Sequence, residues 1–328
     1  MQEIFGEIVS KYELDIKSAV PYKDFFILST PSGKKILKKT QLLPERILFI
    51  HGAKEHLFRN GFENIDRYIC TADGNPYLIG ENATFVLLDH LEGNECNFDD
   101  RREIARASRL LASMHKASEG YIPPAGSKPR DELGKLPLYF NRRLDEIKKL
   151  KKVAKRGKGK FDYMFLEYID YFYNLGESAA GLILNSKYNQ LVEQVRKTGT
   201  FCHHDFTHHN ILCTDDKLTL VNFDFCCFEL KVYDIANFIR RKMRKCNWDI
   251  NEAIIIIKEY RSMNNISEDE FLILKIILQF PQKLWRVVNK YYNSNHSWAE
   301  RSYVLKLQEV IEEIPYHKSF MDKFELLV

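Results

Sequence analysis

Apolar and polar positions follow two rhythms along this chain, and the change between them falls near residue 91. From Lys23 to Thr40, KDFFILSTPSGKKILKKT, two β-favouring runs flank Pro31, Ser32 and Gly33, residues suited to a tight connection, and this predicts a hairpin. Pro44 opens the next segment, where Ile47, Ile50, Leu57 and Phe58 share a helical face and Gly61 supplies the stop. Residues 83–93, ATFVLLDHLEG, read as a buried strand running into a polar connection. From Arg101 to Ala117 the positions Ile104, Ala107, Leu111 and Met114 recur at helical spacing, and helical patterns dominate from there on. No repeat of fixed period emerges, which argues against a solenoid. The expectation is an α+β chain with a strand-rich region at 1–90 and a mostly helical region at 91–328.

Composition narrows the class. A chain of 328 residues with 49 basic and 45 acidic side chains carries a formal charge of +4, too little to argue for nucleic acid or a membrane surface as partner. Seven cysteines without a C-x-x-C pair fit reduced thiols and a cytosolic chain. The start, MQEIFGEIVSKYELD, lacks the layout of a signal peptide. The most apolar stretches, at 254–257 and 271–280, fall short of the roughly 20 apolar residues that span a bilayer and read as core helices. The basic run 148–163 reads as a solvated helix end and loop, with no catalytic role. Trp248, Trp285 and Trp298 read as residues that pack helices.

Chemistry concentrates in residues 201–225, FCHHDFTHHNILCTDDKLTLVNFDF, with four histidines, four aspartates and two asparagines. NILCT, DDK and LTLVNF read as strand, turn and strand. Asn210 lies six residues before Asp216 and Asn222 six after, so an antiparallel hairpin would set them together at its open end. Asp205 leads into that end, and Asp224, two beyond Asn222, would point the same way on a continued strand. Hard oxygen donors suit Mg²⁺ held with phosphates. A carboxylate that accepts the proton of an attacking hydroxyl, beside a metal site, is what phosphoryl transfer requires. The rival reading, zinc on His203, His204, His208 and His209 with Cys202 and Cys213, has no standard ligand spacing. His203 reads as a structural residue of the loop, and Cys226 and Cys227 as small buried residues.

HHDFTHHNIL, with His203, Asp205 and Asn210 at H-x-D-x-x-x-x-N spacing, resembles the catalytic loop of aminoglycoside-phosphotransferase-like kinases, and VNFD resembles their metal-binding strand end. LFIHGAKEHLFRNGF, FVLLDHLEG, CHHDFTHHNIL and VYDIANFIRR together resemble the CotS-type spore coat proteins of endospore-forming bacteria. The resemblance covers nearly the whole chain. It implies a two-lobed protein-kinase-like fold, with a small antiparallel-sheet N-terminal lobe and a larger helical C-terminal lobe. ATP and Mg²⁺ would be the cofactors, with nucleotide bound between the lobes. It further implies a hydroxyl-bearing acceptor, synthesis in the mother-cell cytoplasm, deposition in the spore coat, and other spore coat proteins as partners. Carried over residue by residue, Asp205 is the catalytic base and Asn210, Asn222 and Asp224 are the metal ligands. Lys38 is the phosphate-binding lysine, with Lys39 as its alternative. Glu55, or else Glu45, is the partner of that lysine. Asp89, His90 and Leu91 form the adenine-recognising hinge, and Asp234 packs beneath the catalytic loop.

The chain departs from the pattern at Asn222, where the kinases carry aspartate; an amide oxygen still ligates a cation but lacks the charge. No G-x-G-x-x-G precedes the first hairpin strand, where SAVPYKDFF stands instead. Two functional classes stay open: an ATP-dependent phosphotransferase, and a spore coat protein that keeps the kinase fold as a non-catalytic scaffold.

Overall fold

A computed structural model describes residues 6, 10–22, 25–81, 83–293 and 300–328. Trp298, Lys23 at the head of the expected hairpin and most of the first nine residues lie outside that set. The chain separates into two compact units, each assembled from two stretches of sequence: 1–131 with 198–228, and 132–197 with 229–328.

The first unit is built on an antiparallel sheet. Strands β1 (Ser18–Tyr22), β2 (Phe25–Thr30), β3 (Gly33–Thr40), β4 (Tyr68–Ile69), β5 (Leu78–Gly80) and β6 (Ala83–Asp89) take the order β1-β2-β3-β6-β4, with β5 also paired to β6. The hairpin closes on Pro31 and Ser32, with Thr30 facing Gly33, whose φ of +105° suits glycine. Leu28, Leu37, Phe85 and Leu87 turn to one face and pack with Tyr12 and Leu78 into the core of the sheet. Helix α1 (Pro44–Arg59) starts on Pro44 and ends before Gly61, whose φ is +83°. Helix α2 (Arg101–Ala117) is capped by Asp100, whose side chain accepts from the Arg102 amide, and buries Ile104, Ala107, Leu111 and Met114 as its periodicity demands. A second sheet joins β7 (Asn94–Glu95), β8 (Ile211–Cys213) and β9 (Leu218–Leu220).

The second unit is helical: α3 (Leu136–Ala154), α4 (Lys160–Leu184), α5 (Tyr188–Thr198), α6 (Val232–Met243), α7 (Ile250–Arg261), α8 (Glu268–Gln279), α9 (Gln282–Asn293), α10 (Glu300–Glu312) and α11 (Ile314–Asp322). Ile147, Phe161, Phe165, Leu284, Val288 and Leu307 anchor its largest apolar cluster. The basic run ends α3 and crosses an open loop into α4, with Lys152, Lys155, Arg156 and Lys158 exposed. Among the described residues no helix is long and apolar enough to cross a membrane.

Candidate active site

Every predicted catalytic, metal-binding and nucleotide-binding residue belongs to the first unit, whereas Asp234 belongs to the second. In the β8–β9 hairpin Ile211 pairs with Leu220, and the Val221 amide donates to the Asn210 carbonyl at 2.9 Å, so the two asparagines meet at the open end. Asn222 Nδ2 donates to Asn210 Oδ1 at 3.2 Å, and Asn210 Nδ2 donates in turn to Asp205 Oδ2 at 2.9 Å. Asp224 arrives differently from the expected continued strand. The ladder stops at Leu220, Asn222 adopts a left-handed conformation (φ 65°, ψ 68°), and a 3₁₀ turn over Phe223–Phe225 follows. Asparagine tolerates that conformation better than most residues. The turn rather than the pleat brings Asp224 into place.

Lys38 closes the network. Its ammonium donates to Asp224 Oδ2 at 2.7 Å and to Asn222 Oδ1 at 3.3 Å. Lys38, Asp224, Asn222, Asn210 and Asp205 thus form one continuous chain of hydrogen bonds. Lys39, one residue along β3, is exposed. Glu55 is not brought to Lys38. Burial works to raise the Glu55 pKa, but Arg67 takes its carboxylate with two hydrogen bonds of 2.8 and 2.6 Å, and this bidentate grip brings the pKa below the ordinary value. Glu45 offers its backbone carbonyl to the Lys128 amide. At the predicted hinge, the Asp89 carboxylate pairs with Lys35 and the His90 amide donates to the Lys34 carbonyl at 3.1 Å.

A cavity of about 310 Å³ opens beside this network. Ile36, Leu88, Leu91 and Val221 give it apolar walls, and Lys38, Asn222 and Asp224 give it a polar end. Lys54, Asp66 and Tyr68 also line it, and the sequence reading missed all three. Residues Asn64 to Asp66 run beside β9, joined by the Leu220 amide to the Asn64 carbonyl at 2.9 Å. That path brings Asp66 Oδ2 to the Asn222 amide at 3.1 Å. Its other oxygen receives Lys54, whose ammonium lies 2.9 Å away with a side chain only 1% exposed and 4.0 Å from the centre of the Tyr68 ring. The pair therefore supports the left-handed turn from behind. Arg46, on α1, grips the far side of the turn by donating to the carbonyls of Asp224 (3.0 Å) and Cys226. Lys54 carried a signal: it falls on the face of α1 defined by Ile47, Ile50 and Leu57, where a charge needs a partner.

Three of the four histidines make distinct contacts. His203 is fully buried, its Nε2 donates to the Val221 carbonyl at 3.1 Å, and its Nδ1 accepts from the Asp205 amide at 3.3 Å. It ties the Asp205 loop to the end of the hairpin, the structural role expected of it. His209 faces Glu95 at 2.5 Å, and the His208 ring packs near Phe98. Cys226 and Cys227 are fully buried, and burial raises the Cys226 thiol to about 11.

A sheet, a helix beside it and a loop–hairpin unit with this polar network describe the kinase-like fold of small-molecule phosphotransferases, and solved structures share it. An aminoglycoside phosphotransferase from Alicyclobacillus acidocaldarius superposes with a TM-score of 0.85 at 22% identity, covering 98% of this chain and 95% of that one. A spectinomycin phosphotransferase solved with ADP and spectinomycin follows at 0.61 and 13% identity, covering 97% and 98%. The chain belongs to the family described as "Spore coat putative kinase YutH", which matches residues 6–324. It is 26% identical over 330 residues to spore coat protein S of Bacillus subtilis (strain 168), covering 98% of this chain and 94% of that protein. It is thus a spore coat protein of kinase-like fold.

Proposed function

We propose that this chain is an ATP- and Mg²⁺-dependent phosphotransferase acting on a hydroxyl group. The observation that carries the reading is the unbroken hydrogen-bond chain from Lys38 to Asp205. It assembles a cation, three oxygen-bearing side chains and a loop carboxylate beside an apolar cavity. The donor set fits a hard divalent cation, because oxygens of Asn222 and Asp224 already converge on a positive charge, the ammonium of Lys38. Asn210, Asn222 and Asp224 would hold the metal, and its chemistry when bound is to draw phosphate oxygens together and offset their charge.

The chain's own groups supply the rest. Ile36, Leu88, Leu91 and Val221 exclude water from an adenine face, with Asp89 and Leu91 at its edge and His90 between them in the chain. Lys38 releases Asp224 and turns to phosphate, exchanging one anionic partner for another. Asp205, one oxygen fixed by Asn210 Nδ2, orients the acceptor hydroxyl and takes up its proton. In this reading residues 1–90 form the nucleotide-binding lobe and 91–328 carry the catalytic loop and acceptor region.

The uncharged Asn222 favours a second reading, a scaffold of the spore coat that binds nucleotide weakly or not at all. Calorimetric titration of MgATP, followed by ATP turnover, separates the two. The enzyme reading expects binding by wild type, turnover lost in Asp205→Ala with binding kept, and tighter metal-dependent binding in Asn222→Asp. Absence of ATP binding in both wild type and Asn222→Asp would overturn it.

A further inference from the structure

A second cavity, of about 90 Å³, lies within the helical unit, far smaller than the one beside Lys38. Five cations line it: Arg240 and Arg241 at the end of α6, Arg244 just beyond, and Lys283 and Arg286 from α9. A single carboxylate, Glu313, joins them, and it is already held by Lys283 at 2.6 Å. Glu309 stands nearby and is likewise drawn to Lys283, at 3.6 Å. The pocket wall therefore carries a net positive charge that its own residues do not balance.

The placement of each cation shows where the surplus resides. Arg240 is buried and spends its guanidinium on neutral acceptors: Gln282 Oε1 at 2.9 Å and the carbonyls of Ile277 and Phe280 at the end of α8. Those bonds satisfy its N–H groups and leave its charge without an anion. Among the described residues the guanidinium groups of Arg244 and Arg286 make no hydrogen bond and no ion pair, although both residues are open to solvent. Burial, with Arg286 and Arg244 adding to it, lowers the pKa of Arg240 to about 9. Basic residues at a helix C-terminus offset the helix dipole, which accounts for Arg240 and Arg241 but not for Arg286, which comes from another helix. Backbone shape at the rim points the same way. Asn247 and Trp248 both have positive φ, 48° and 54°, and the strained pair sets the Trp248 ring into the wall, 4.5 Å from the ring of His317.

We propose that this pocket binds a small multivalent oxyanion, held between the guanidinium groups of Arg244 and Arg286 above the buried charge of Arg240. Its volume suits a phosphate or a compact polycarboxylate. The shared chemistry is two or more anionic oxygens spaced to accept from two planar donors.

The test is calorimetric titration of the full chain with inorganic pyrophosphate and, separately, citrate, at constant ionic strength set with NaCl. Lys38→Met serves as the background, so that the cavity beside Lys38 cannot supply the signal. Saturable binding of either probe is expected, weakened about tenfold or more in Arg244→Ala and in Arg286→Ala. Lys152→Ala, on the exposed basic run, is expected to leave it unchanged. Arg244 and Arg286 are exposed residues outside the largest apolar cluster of the helical unit. Binding equal in all three alanine variants, loss in Lys152→Ala as large as in Arg244→Ala, or no binding of either probe would overturn the proposal. Pyrophosphate binding without citrate binding assigns the site to phosphates, and the converse assigns it to carboxylates.

Discussion

Replacing Asp66 with alanine takes the counter-charge from an ammonium that has almost no water to fall back on. The Lys54 side chain is 1% exposed and its Nζ lies 2.9 Å from Asp66 Oδ1, so its further compensation comes from the faces of Tyr68 at 4.0 Å and Phe223 at 5.7 Å. Breaking such a buried pair from one side costs about 3–5 kcal/mol, because the charge left behind stays desolvated. The same substitution strips the Asn222 amide of its acceptor, a further cost of about 1–3 kcal/mol if no water replaces it. Removing the other partner, in Lys54→Met, should cost less. The Asp66 side chain is 12% exposed against 1% for Lys54, and its Oδ2 keeps the bond from the Asn222 amide, so its charge is the less desolvated of the two. The double variant should recover much of the loss seen in Asp66→Ala, since no orphaned charge remains, while the Asn222 amide stays unsatisfied. Urea unfolding of the wild type and three variants yields the cycle directly. Thermal midpoints should follow, with Asp66→Ala lower by on the order of 10 °C. A Lys54→Met loss as large as that of Asp66→Ala, or a double variant no more stable than Asp66→Ala, would show that the two charges do not act as a unit.

Lys38→Met should change stability by less than about 1 kcal/mol, because its pair with Asp224 is partly open to water, while weakening MgATP binding at least about tenfold by calorimetry. Burial lowers the His51 pKa below its ordinary 6.5, with Glu55 opposing and Lys54 adding to the effect. The unfolded chain therefore takes up that proton first as pH falls. The stability contributed by neutral His51 is complete above 6.5 and is lost as pH falls from there through the lowered folded-state pKa, so the fall in melting temperature between pH 7.5 and 5.5 should be shallower in His51→Gln than in wild type. Gly199→Ala should cost about 1–3 kcal/mol in urea unfolding. Its φ is +68°, and an added Cβ would stand 2.6 Å from the Tyr121 carbonyl oxygen.

The parts of the fold legible in the sequence are those fixed by local periodicity and by antiparallel register. Counting outward from a polar turn is enough to bring Asn210 and Asn222 together, because pairing in a short hairpin leaves few other registers. It is not enough to follow the chain past Asn222, where one left-handed residue turns strand into 3₁₀ turn and changes how Asp224 approaches. On α1 the reading put Phe58 on the buried face, but Phe58 is 36% exposed beneath the Arg67 guanidinium and Lys54 lies inside. The cause lies outside the helix: Asp66 makes a buried lysine tolerable, and while the helical face marks Lys54 as needing a partner, it does not point to Asp66. The expected Glu55–Lys38 pair fails similarly, because Arg67, twelve residues further on, offers a bidentate partner to the glutamate while Asp224 claims the lysine.

The left-handed conformation at 222 restricts what that position can become. Only glycine, asparagine and aspartate adopt it at little cost, and codons for the last two differ by a single base. A full carboxylate is therefore one transition away in the gene, on a backbone already shaped to receive it. The Asp66 acceptor that steadies the turn contacts only the main chain there, so it would serve either side chain alike.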